Sequence, residues 1–218
     1  MESIGLLDNK RHVFDALCAE VAGCRRCPTM EGRRRVLSPA NGSPGALVMF
    51  VAEAPGRLGG DRTGAPLYGD RTGERFDRLL AAAGWRRSDV FITNAVLCNP
   101  RSDNGRVNRR PSRAEVANCA DHLRRQIELV DPRLVVALGA VALGALGRVE
   151  PHHLVLARDY GLLRRWYGRW LAPLSHPSDR ALWRRSEAEQ VADMRALSGF
   201  VQRLASASHV NGESDERR

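Results

Sequence analysis

Five cysteines bear on chemistry before anything else, because a thiolate is both a nucleophile and a soft metal ligand. Cys24 and Cys27 form a C-x-x-C pair in the segment CRRCP, a turn that lets two thiolates face one ion or cluster. Cys98 and Cys119 follow much later in the chain. One close pair and two distant singles fit a four-thiolate site assembled by folding, for zinc or for an iron-sulfur cluster; the alternative is inert thiols packed in a core. Cys18 shares helical spacing with Val13, Phe14, Leu17 and Val21 and reads as packing.

The elements that must position these residues alternate. Leu47 to Val51, Val90 to Val96, Leu134 to Leu138 and Trp170 to Leu174 read as strands, the first and third as continuous apolar runs buried on both faces. Helices are expected over residues 8 to 22, 74 to 83, from Ser112 and Glu115 (a capping box) to about Val130, 140 to 146 and 182 to 204. Strands separated by helices imply an α/β fold, one domain with a central, mostly parallel, four-stranded sheet flanked by helices. It should span residues 1–205, with 206–218 as a tail too poor in apolar residues to fold. In such sheets, sites gather beyond the carboxyl ends of the strands. Three segments occupy such positions and can converge there: Ala52 to Gly56, Thr93 to Val96 and Ser175 to Ser178.

The chain has 218 residues, 34 basic against 25 acidic, for a net charge of +9. Lys10 is its only lysine, so the positive charge is almost all arginine, whose planar fork grips phosphate in two places. A polyanionic partner is expected. No apolar run approaches the roughly 20 residues of a membrane span, and the first residues lack the pattern of a secretory signal. A cytoplasmic monomer is expected.

The motifs CRRCP, MFVAEAPG, DRTG, FITNAVLCNP, a cysteine in the next helix, LVVALG and SHPS occur in that order. In this the chain resembles the iron-sulfur uracil-DNA glycosylases over about residues 20 to 205. The cysteine pair, TNAVLC and SHPS look like family four, whereas GGDRTGAPLYGDRTG is similar to the glycine-rich segment of family five. The resemblance implies that Cys24, Cys27, Cys98 and Cys119 hold a structural 4Fe-4S cluster, with zinc as the alternative for the same ligands. It also implies uracil-containing DNA as partner and base flipping followed by hydrolysis of the glycosidic bond.

Within that likeness, the Asn94 amide suits the polar edge of uracil, and the His176 imidazole suits the negative charge that cleavage leaves on uracil O2. Where related family-one enzymes place a water-positioning aspartate, this chain has Ala54. Glu53 is then the first choice for the water, with Asp61 and Asp70 as candidates that could instead hold their turns. Pro66-Leu67-Tyr68-Gly69 stands where family four has a stacking Phe, so Leu67 or Tyr68 must cover the base. Ser38, Arg106, Arg109, Arg110, Ser178 and Arg180 are expected on DNA phosphates, and Leu182 as a wedge or a core residue. Lys10 lies outside every motif, so a Schiff-base lyase is not expected and a monofunctional enzyme is. Two further readings are a glycosylase for a broader range of deaminated bases and a non-catalytic nucleic-acid-binding protein whose four cysteines hold zinc.

Overall fold

A computed structural model describes residues 2–102 and 104–212. Helix α1 (Glu2–Ala22) is followed by β1 (Val48–Ala52), a short α2 (Gly60–Thr63), α3 (Arg71–Ala82) and β2 (Phe91–Asn94). Then come α4 (Arg113–Val130), β3 (Leu134–Leu138), α5 (Ala140–Val149), β4 (Arg164–Trp166), β5 (Arg169–Leu174) and α6 (Glu187–Gly212). The sheet order is β2-β1-β3-β5-β4, with every pairing parallel except the β4–β5 hairpin.

Side-chain alternation divides the sheet between two layers. Met49, Val51, Phe91, Val135, Ala137 and Leu171 pack on α1, α4 and α5. Val48, Phe50, Ala52, Ile92, Val136, Leu138 and Leu174 pack on α3 and α6. The amphipathic spacing of α1 works as read: Phe14, Leu17 and Val21 are buried, with Phe14 edge-on to Phe91 at 5.5 Å between ring centroids. Chain direction sets where a ligand can bind. From β1 the chain moves through α3 on one face to β2, then through α4 on the other face back past β1 to β3. The crevice beyond the carboxyl ends of β1 and β3 is therefore the switch point of the sheet.

The α/β class stands, but the sheet has five strands rather than four. β4 is three residues long, carries exposed Arg164 and Arg165 and buries only Trp166, so no apolar run announces it. Its turn, Tyr167-Gly168, has positive φ at both residues (47° and 73°), the geometry of a tight two-residue hairpin. The last helix starts at Glu187 rather than near 182, because Ser186 and Glu189 form a capping box there: Ser186 N donates to Glu189 Oε2 at 2.8 Å and Glu189 N to Ser186 Oγ at 3.3 Å. That helix continues to Gly212, into the segment read as a tail; residues 213–218 lie outside the described residues. Among the described residues no helix is long and apolar enough to cross a membrane.

Candidate active site

Register fixes the rim of the crevice. Ala52 of β1 pairs with Asn94 of β2, Val51 with Ala137 of β3, and Leu138 with Leu174 of β5. The three segments singled out in the sequence thus leave the same end of the sheet. Asn94 on β2 and His176 just past β5 stand three strand spacings apart, roughly 14 Å. Glu53 and Ala54 follow β1 between them, and Gly139 follows β3.

Asn94 is 1% exposed, yet neither its Oδ1 nor its Nδ2 has a hydrogen-bond partner among the described residues. A buried unpaired amide costs about 1–3 kcal/mol, a penalty that a ligand with complementary edges removes. His176 is surrounded by protein but retains some exposure, as expected of a group lining a cleft. Burial pushes its pKa down to about 4 against an opposing pull from the Asp70 carboxylate, so the ring is neutral at neutral pH. Gly139, at φ 95°, lies against it: a Cβ there would sit 3.4 Å from His176 Cβ.

The three carboxylates differ in circumstance. Glu53 is half-buried; burial raises its pKa, and Arg110 acts in the opposite sense. Asp61 is buried; its Oδ2 is tied to Arg101 Nη2, while its Oδ1 has no hydrogen-bond partner among the described residues. Asp70 caps α3, accepting from Gly73 N at 2.9 Å through Oδ1. Its Oδ2 faces Gly56 and Gly59, where an added Cβ would approach it to 3.1 and 2.3 Å. The glycine-rich loop is glycine-rich in part because this carboxylate occupies the space.

The remaining positions fall into place around these. Leu67 is buried with φ at 48°, whereas Tyr68 points outward beneath the Arg87 guanidinium, 5.2 Å from its ring centroid. Arg106, Arg110 and Arg180 are exposed. Arg109 turns inward onto Glu115, with Nη1 donating to Oε2 at 2.7 Å, and thereby braces the start of α4. Ser38 Oγ caps a 3-10 turn, accepting from Ala40 N at 3.2 Å. Ser178 N donates to His176 O at 2.8 Å, closing the turn after the imidazole.

Three of the four cysteines share one small apolar cluster with Ala54, and Cys24 lies within electrostatic reach of it. Cys27, Cys98 and Cys119 pack with Met30, Val96, Ala54 and Val116. Cys98 is pushed up to about 11 and Cys119 to about 12, by burial first and in lesser part by the neighbouring cysteines, Cys24 and Cys27 among them, with Arg35 and the Leu97 backbone acting in the opposite sense on Cys98 and Cys119 respectively. Asn118 Nδ2 donates to Cys27 Sγ at 3.4 Å, and Arg35 Nε to Cys24 O at 3.1 Å. Among the described residues no three such side chains are gathered tightly enough to hold a single metal ion. Four thiols within electrostatic reach of one another are nonetheless a donor set suited to a thiolate-ligated group.

A family model of the uracil-DNA glycosylase superfamily matches residues 39–197. The chain belongs to that superfamily. It is 31% identical over 197 residues to a Type-4 uracil-DNA glycosylase of Thermotoga maritima, covering 89% of this chain and 97% of that protein. A Type-4 relative from Archaeoglobus fulgidus is 38% identical over 129 residues, 59% of this chain and 61% of the relative's length. A Type-5 uracil-DNA glycosylase of Pyrobaculum aerophilum is 31% identical over 164 residues, 62% of this chain and 70% of that protein.

Within this superfamily member several rim residues escaped sequence reading. Asn99 is buried, donates to Pro55 O and to Asn108 Oδ1 at 3.0 Å, and accepts from Arg101 Nε at 2.7 Å. It thus ties the loop after β2 to the glycine-rich loop. Arg87 clamps the Leu67 segment through Pro66 O at 3.0 Å and Leu67 O. Trp183 is 75% exposed just past the His176 loop, with the Arg184 guanidinium 4.4 Å from its ring centroid, whereas Leu182 beside it is partly covered. An apolar residue in an irregular segment has no periodicity to betray it; the neighbouring arginines were the available signal.

Proposed function

We propose that this protein is a monofunctional uracil-DNA glycosylase that hydrolyses the N-glycosidic bond of a flipped-out uracil and leaves an abasic site. The observation that carries the reading is the buried, unpartnered Asn94 amide on the same rim as a neutral imidazole. An amide has one acceptor and two donors, so it pairs with N3-H and O4 of uracil and opposes the reversed pattern of cytosine. As the bond to the sugar breaks, its electron pair moves onto the base, and a neutral His176 N–H donates to O2 where the charge collects.

Water completes the reaction: its oxygen bonds to the anomeric carbon, the base leaves as the anion and a proton passes to a carboxylate. Asp70 is best placed for this, because its Oδ2 faces the glycine-rich loop and its charge reaches His176, while Asp61 is committed to Arg101. Glu53, half-buried with a raised pKa, shapes the O2 side of the pocket. Lys10 Nζ donates to Val130 O at 3.0 Å, at the end of α4 that leads into the amino end of β3, so it supplies no amine for strand cleavage.

The four cysteines fit a 4Fe-4S cluster better than zinc, since tetrahedral zinc would hold the sulfurs about 3.8 Å apart. When bound, the cluster supplies a rigid thiolate-ligated staple under Ala54. Exposed Arg106, Arg110 and Arg180 would meet phosphates, with Ser38 and Ser178 contributing from turns they also stabilise and Arg109 positioning its loop.

A panel of oligonucleotides carrying uracil, hypoxanthine, xanthine or a thymine mismatch tests the reading. Free uracil should appear with the strand intact until alkali is added, from an iron-containing brown protein. A colourless protein that binds DNA and releases no base would refute it. A broader base range has one structural point in its favour: the buried residue of the Pro66–Gly69 segment is Leu67, not an aromatic, and Tyr68 is half-exposed. Release of hypoxanthine at a rate comparable to uracil would establish that range.

A further inference from the structure

Arg75 on α3 is only 7% exposed. A buried guanidinium is tolerated only when its donors are satisfied, and replacing a whole buried ion-pair network by apolar residues is often neutral or stabilising, whereas removing one partner is not. What the charge adds is geometry, because the planar fork fixes several partners at once. Nη1 donates to Pro177 O at 3.2 Å, Nη2 to Asp179 Oδ1 at 2.8 Å and Nε to Glu187 Oε2 at 3.2 Å. Pro177 is the residue after His176, Asp179 opens the 3-10 turn beyond it, and Glu187 begins α6. The loop carrying the imidazole is thus pinned from below at three points by one side chain.

The helix that supplies Arg75 also supplies Asp70 at its N-cap. We infer that Arg75 is a positioning residue for His176: through Pro177, Asp179 and Glu187 it locks the imidazole loop to α3 and holds the ring in register with Asp70. The inference rests on the glycosylase reading and deepens it. A displacement of about 1 Å in a catalytic group can cost roughly a hundredfold in rate. Loss of the fork should therefore appear in the chemical step rather than in DNA affinity.

The test is a double-mutant cycle in single-turnover uracil release, using Arg75→Met, His176→Ala and the combination, each retaining its full iron content. Arg75→Met should lower the single-turnover rate about ten- to a hundredfold, with KM changed less than about threefold, and should add almost nothing in the His176→Ala background. Arg75→Lys, which keeps the charge without the fork, should recover only part of the rate. Arg169→Met, which removes an arginine paired with Asp131 at the opposite end of β5, controls for loss of a half-hidden ion pair and should leave the rate unchanged at a similar drop in Tm. Equal losses in both backgrounds, or a wild-type rate in Arg75→Met, would overturn the inference. If Arg75→Met is too unstable to assay, Asp179→Asn should show the same dependence on His176, and additivity there overturns it equally. Absence of uracil release by the wild-type protein would instead bring down the glycosylase reading.

Discussion

Asn94 sits in the free protein at a cost that folding does not need. Both polar atoms of its amide are buried and, among the described residues, unpartnered, so an apolar residue of the same shape should be tolerated better. Asn94→Leu is accordingly expected to leave Tm unchanged or raise stability by about 1–2 kcal/mol, while single-turnover uracil release falls by at least about a hundredfold; thermal melting and a release assay on one preparation check both. His176 leaves a different mark. Its folded pKa, about 4, lies below the ordinary imidazole value, so between pH 6.5 and 4 the unfolded chain takes up a proton that the folded one refuses. Stability attributable to this residue is full above 6.5 and declines as pH falls toward 4. His176→Gln should flatten that part of the pH–stability curve, by up to roughly 2–3 kcal/mol. The place of these two residues at strand ends was legible in the sequence, because each lies in a motif that closes an apolar run. The surroundings of Glu53, Asp61 and Asp70 were not, because they depend on arginines from other loops: Arg110 acts on Glu53 and Arg101 ties Asp61.

The start of α4 does more than begin a helix. Ser112 and Glu115 form the capping box that their spacing predicts, and the same Glu115 carboxylate receives Arg109 and accepts from Thr29 Oγ1 at 2.8 Å. Arg109 is the largest influence holding Glu115 down to about pKa 2. The stabilisation is present above the ordinary carboxylate value near 4.5 and is lost as pH falls from there toward 2. Glu115→Gln should cost about 3 kcal/mol near neutrality, with the two unfolding curves converging in acid. Because α4 also carries Cys119, retention of the proposed cluster in that variant should weaken as well. Elements announced by long apolar runs or by a capping box, β1, β3 and α4, were readable. The hairpin strand β4 was not, since its identity comes from pairing with β5 and from two positive φ angles rather than from any pattern of its own.

At the scale of the whole molecule, a charge of +9 and a rim bearing exposed arginines favour binding that weakens steeply with salt. Duplex and single-stranded substrates should nevertheless be distinguished by a local feature. Trp183 protrudes beside the His176 loop, where an indole can stack in the space an extruded base leaves behind. Trp183→Ala is expected to reduce uracil release from duplex DNA about tenfold or more while changing the single-strand rate less than about threefold. Equal losses on the two substrates, measured by parallel release assays, would remove that role. Fold class followed from the alternation of strands and helices along the chain, but the reach of side chains across the carboxyl end of the sheet did not. The short edge strand β4 has a bearing on life at high concentration. Arginines 164 and 165 put two like charges along the last open row of backbone amides, so another chain approaching to extend the sheet meets repulsion where it would need to pair.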